Sequence, residues 1–145
     1  MKKIMGIFVL IFLLSSCDTA DPNDILVIEE RFFINRMNDI VFNLDSYIGT
    51  TIRYEGVFRT LEWPESQIGY FHQVYRYVEG CCGPDGVLGL DVRLNYVDIE
   101  PFEDSAWVRV TGVIGSFEEG GRTFPRVNVT HIEELEERGN DFISS

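Results

Sequence analysis

The chain has 145 residues, with 24 acidic side chains against 12 basic ones and a formal net charge of −12. Apolar residues make up 45% and aromatic ones 13%, which excludes a disordered tail and fits one ordinary domain rather than two. A surface this acidic repels phosphate backbones and anionic headgroups, which argues against nucleic acid as a partner.

Met1-Lys2-Lys3 opens the chain with positive charge, and residues 4–14 are apolar apart from Gly6. A basic start, an apolar run of about 7–15 residues and small residues after it make an export signal. The run is shorter than the roughly 20 residues a membrane-spanning helix needs. Leu14-Ser15-Ser16-Cys17 resembles the lipobox of bacterial lipoproteins. In that class a diacylglyceryl group is attached to the cysteine sulfur, and cleavage leaves the cysteine as the new N-terminus. The expectation is therefore a signal peptide over 1–16, lipid on Cys17, and a polar tether over 17–24 containing Pro22. The protein then reaches the membrane through that lipid, on the extracytoplasmic side of a bacterial cell membrane or outer membrane. An ordinary secretory signal with a chance cysteine is the alternative. Loss of the signal removes both lysines, so the ten basic side chains that remain are all arginine.

Residues 25–28 read as a brief opening strand. From Phe33, apolar residues recur at Met37, Ile40, Val41, Leu44 and Ile48, which predicts a helical segment that Asn35 caps and Gly49 ends. After Gly49 the pattern alternates: Ile52, Tyr54 and Phe58 on one face, Arg53, Glu55 and Arg59 on the other. Residues 61–69 read as a loop, 70–78 as a second strand, 80–86 as a tight turn and 87–96 as a third strand. An acidic loop over 97–105, a strand over 106–114, a hairpin over 115–122 and a strand over 123–130 come next. Residues 132–138 read as a short helix stopped by Gly139. One domain over 25–138 and a disordered tail over 139–145 result.

Five strands and glycines inside the first and fourth of them, Gly56 and Gly112, point to a small, strongly bent sheet. The fold expected is mainly β: a five-stranded OB-like barrel with one or two short helices, a β-sandwich being the alternative. Residues 45–56, with Tyr47-Ile48-Gly49 before the strand, resemble the opening of OB-like domains. Arg76, Cys81-Cys82 and Asp85, with Trp107-Val-Arg-Val-Thr-Gly112 and Pro125, carry a narrower likeness. Their arrangement is similar to the C-terminal extracytoplasmic domain of the YcgQ-like family, which is classed with permease subunits. The likeness covers about residues 25–134. It implies an OB-like fold and a setting beside a membrane transport system, with a permease as the expected partner, and no established reaction.

Cys81 and Cys82 are adjacent, and their Cα atoms, about 3.8 Å apart, are closer than an ordinary disulfide allows. Thiolates suit zinc or cuprous copper, and Asp85 adds an oxygen donor nearby. The candidate metal set is Cys81, Cys82, Asp85 and His72, though adjacent cysteines depart from the usual zinc spacing. Structural thiols and a strained redox disulfide are the competing readings. Arg76 is the candidate binding residue, with pairing to Asp85 or stacking on a ring as its structural alternative. His131 shares the parity of Val127 and Val129 and reads as an edge histidine. No catalytic residue and no certain cofactor emerges. The functional reading is a non-enzymatic, lipid-anchored binding domain accessory to transport. A metal-binding or metal-delivering lipoprotein and a thiol redox protein are the alternatives.

Overall fold

A computed structural model of the chain describes residues 24–66, 69–80, 83–94 and 102–144. Cys17, Cys81 and Cys82 lie outside the described residues, as do the expected signal over 1–16 and most of the expected tether over 17–24. The elements are β1 (Ile25–Val27), α1 (Phe33–Phe42), β2 (Thr51–Glu62), β3 (Tyr70–Gly80), β4 (Gly83–Arg93), β5 (Trp107–Glu119), β6 (Arg122–Glu134) and β7 (Phe142–Ile143).

Strands β2 to β6 close into a barrel in the order β2-β5-β6-β4-β3, with β3 returning to β2. Neighbours are antiparallel except β4 and β6, which run parallel from Asp91↔Arg126 to Arg93↔Asn128. This is the five-stranded barrel expected from the alternation, and the sandwich alternative is set aside. β1 adds to β2 and β7 adds to β3, both in parallel.

The inward parity of each strand supplies the core: Tyr54 and Phe58 from β2, Val74 from β3, Leu90 and Val92 from β4, Val108, Val110 and Ile114 from β5, Val127 and Val129 from β6. Helix α1 packs Phe33, Met37 and Ile40 into the same cluster, at the i, i+4, i+7 spacing of one helical face. A second cluster lies on the other side of the sheet, where Val57, Tyr75 and Trp107 are covered by Tyr77 and Leu135.

Several boundaries differ from the sequence expectation. Asn35 lies inside α1; the helix starts after Phe32 with no side-chain cap and ends at Phe42. Leu44 belongs to a following 3-10 turn, Leu44–Ser46. Gly49, with φ +87°, turns the chain into β2 and donates its N–H to the Ile114 carbonyl at 2.9 Å. The helix expected over 132–138 is absent. There β6 continues to Glu134, because the edge of β5 down to Val108 remains to be paired. The expected tail from residue 139 instead carries β7, whose Ile143 is buried against the core.

The parity of β6 also changes partway. Thr111 pairs with His131 while Gly112 pairs with Val129, so Thr130 is the extra residue of a β-bulge. A single inserted residue moves the rest of the strand to the opposite face. His131 is therefore exposed, with its side chain 65% accessible, and Ile132 turns inward to pack on the core.

Candidate binding cleft around Arg76

Arg76 shares the inward parity of Val74 on β3, yet it carries a charge and is 3% exposed. A buried guanidinium needs its hydrogen bonds met from nearby. Its Nε donates to the Glu55 carbonyl at 2.9 Å, and its Nη1 donates to Glu30 Oε2 at 3.1 Å and to the Asn140 carbonyl at 3.4 Å. Its plane lies 5.1 Å from the Phe33 ring centre and 4.9 Å from that of Trp107. Arg76 thus joins the two apolar clusters and ties together the segment before α1, strand β2 and the segment before β7.

Two shallow depressions meet beside it. One, of about 250 Å³, is lined by residues 27–30, Arg53, Tyr54, Glu55, Arg76 and Gly139. The other, of about 390 Å³, lies between Glu55, Arg109 and residues 135–139. Both share Glu55 and Gly139. The strap over 135–143 forms one wall and is firmly seated. Leu135 N–H donates to the Trp107 carbonyl, and Tyr77 N–H donates to the Asp141 carbonyl. Arg138 forks onto Asp141 at 2.8 and 2.7 Å and reaches the Ser105 carbonyl at 2.7 Å. Gly139 lies on the indole: a Cβ there would stand 2.5 Å from Trp107 Cζ2.

The cleft is rich in charge, and several of its charges are paired. Arg109 donates through Nε and Nη2 to Glu55 at 3.0 and 2.8 Å, and through Nη1 to Glu133 at 3.2 Å. The Glu55 hydrogen bond raises the Arg109 pKa most, burial opposes it, and the Glu55 charge with the Glu133 hydrogen bond and charge raise it further. Such a surface offers fixed donors and acceptors to a polar ligand.

The sequence candidates are scattered. Arg76 pairs with Glu30, not with Asp85, which is the extra residue where the β3–β4 register shifts after Val78↔Gly86. The Asp85 carboxylate folds back over Gly80, so closely that a Cβ on Gly80 would collide with Asp85 Oδ1. Asp85 therefore lies against the residue that precedes Cys81. His72 is at the far end of the hairpin, six residues from Val78, a span of about 20 Å along a strand. It packs 5.2 Å from the Phe58 ring and 5.3 Å from Tyr70, with Nδ1 3.0 Å from Thr60 Oγ1. Burial lowers its pKa first, and Arg93 lowers it further, with Asp104 opposing. His72 and Asp85 are thus too far apart to ligate one ion.

Sequence reasoning did not single out Glu30, Glu55 or Arg138 for the site, and it named Trp107 and Arg109 only within the Trp107–Gly112 motif of the family likeness. The signal for Glu55 and Arg109 was present, since both sit on the polar parity of a strand, but only the register Glu55↔Arg109 makes them a pair.

The DUF1980 C-terminal domain family matches residues 15–144. The chain belongs to that family. The match is consistent with the YcgQ-like resemblance and takes in the strap and β7 along with the barrel. Among curated proteins no match is found. In this DUF1980 C-terminal domain, then, the Arg76 cleft is built wholly from residues inside the family's span.

Proposed function

We propose that this DUF1980 domain is a lipid-anchored, extracytoplasmic binding domain that works beside a membrane transport system and is not an enzyme. The observation that carries the reading is the Arg76 cleft, whose arginines and carboxylates are held in fixed pairs suited to recognition. The half-buried imidazole of His72 supports it too, being stacked between rings and away from the cleft. The lipobox-like Cys17 and the YcgQ-like likeness supply the setting. Two acyl chains anchor a protein stably where one does not, so the full-length protein should partition into detergent and carry a diacylglyceryl mass on Cys17. Cys17→Ser should leave an unprocessed precursor. Cleavage elsewhere with no added lipid, seen in the intact mass, overturns the anchor. For the transport role, the anchored protein should co-purify with an integral transport protein, and its recovery alone removes that part of the reading.

A second reading, metal binding at the Cys81-Cys82 turn, is favoured by the placement of Asp85 against Gly80. Hydroxyls are poor ligands for soft ions, so Cys82→Ser should abolish stoichiometric zinc or copper in the reduced protein while the barrel stays folded. Equal metal content in both proteins sinks it.

A further inference from the structure

We propose that Val41, Phe42 and Ile48, at the end of α1 and in the turn after it, rest on the lipid surface to which the chain is anchored. The proposal rests on the reading of Cys17 as the lipid attachment site. Phe42 is 81% exposed, Ile48 50% and Val41 43%, although Phe33, Met37 and Ile40 of the same helix are fully buried. Clustered exposed apolar side chains mark a surface that something covers.

The entry point of the chain identifies the occupant. β1 runs parallel to β2 with Ile25 opposite Thr51, and Ile48 precedes Thr51 by three residues. Strands about 5 Å apart and 3.8 Å per residue place Ile48 within roughly 15 Å of Ile25. Seven residues separate Cys17 from Ile25, and a fully extended chain of that length reaches about 25–30 Å. A lipid on Cys17 therefore holds this end of the barrel near the bilayer. Trp63, beyond the other end of β2, is about 40 Å away along the strand.

Charge narrows the lipid class. Asp39 and Asp45 flank the apolar residues in sequence and Asp24 precedes β1, so a neutral headgroup surface is favoured over an anionic one. The β5–β6 ribbon leaves the barrel at this same end, since Val113 is opposite Thr51 and the strands continue to Glu119↔Arg122. Its tip carries Glu118 and Glu119, which keep it in water.

The test uses full-length lipidated protein in phosphatidylcholine vesicles with brominated acyl chains, which quench only tryptophans in contact with them. The parent, with Trp63 and Trp107, should keep its emission, whereas Phe42→Trp and Ile48→Trp should each add emission that the bromines remove. Adding Phe42→Glu to Ile48→Trp should abolish the quenching while the protein still floats with the vesicles. Protein that floats with neither new tryptophan quenched overturns the docking alone, as does quenching confined to Phe124→Trp on the ribbon. Docking that appears only when a membrane protein is co-reconstituted overturns it in favour of a protein partner. Protein that does not float removes the anchor reading, and this proposal with it.

Discussion

Arg76 touches three separated parts of the chain, and its removal should be felt in all of them. Arg76→Ala strips a buried guanidinium from between two aromatic rings and leaves the Glu55 and Asn140 carbonyls without their donor. Glu30 is half exposed and can return to water, so the loss should be toward the low end of a broken buried pair, about 2–3 kcal/mol in urea unfolding. Arg76→Lys keeps the charge but loses the planar fork, and should recover less than half of that. At His72 the sign runs with acid. Burial and Arg93 hold its folded pKa below the ordinary 6.5, so stability is fully present above that value and is lost as pH falls below it, where the unfolded chain takes up the proton first. Melting temperature should drop between pH 7 and pH 5.5 in the parent and stay flatter in His72→Gln. Equal slopes would show that the imidazole is not the group responsible. Arg76 was legible as a residue under tension, a charge among the aromatic residues of a strand. Its partners were not, because Glu30 and Asn140 lie 46 and 64 residues away along the chain.

Among the elements, the barrel strands were legible because alternation fixes which side chains point inward before any partner is known. Ends and registers were not. Thr130 carries no mark of a bulge, and only the pairing with β5 shows that one residue too many is present. The strand β7 is two residues long, too short for a period of two to be seen, and the Gly139 that suggested a helix stop instead lets the strap lie flat on Trp107. That role of Gly139 can be tested directly. Gly139→Ala forces a methyl group against the indole, and overpacking of this kind costs about 1–3 kcal/mol. It should also loosen the strap, seen as faster proteolysis between residues 135 and 143 and a red-shifted Trp107 emission. Unchanged proteolysis would mean that the hydrogen bonds of Leu135 and Asp141 hold the strap unaided.

For the molecule as a whole, net charge is the property that sequence stated most directly. At least six of the ten arginines are committed to carboxylates: Arg31, Arg36, Arg76, Arg93, Arg109 and Arg138. Single-strand binders of this barrel type combine a basic groove with stacking rings. Here the rings are present but most of the cations are already paired on a strongly acidic chain, so no salt-sensitive binding to single-stranded DNA is expected at micromolar protein. The candidate site was less legible than the fold, since a cleft made by Glu30, Glu55, Arg76 and the strap exists only after segments far apart in the chain have come together beside Arg76.

The parallel pairing of β1 with β2 has a mechanical meaning. A force applied to the chain on the N-terminal side of Ile25, as the proposed lipid on Cys17 would apply it, loads β1 in the direction opposite to the chain's own run. Ile25, Leu26 and Val27, registered with Thr51, Ile52 and Arg53, then share the load in shear, with Ile28 bonded to the Arg53 carbonyl at 2.8 Å behind them. Bonds strained together give way together. An antiparallel hairpin entered from its open end would peel one bond at a time, whereas this geometry makes forced detachment a single high-barrier event governed by the unfolding rate. An attachment on that side, if Cys17 carries one, would thereby be strong, and a drag on the domain should tilt it before it strips the first strand away.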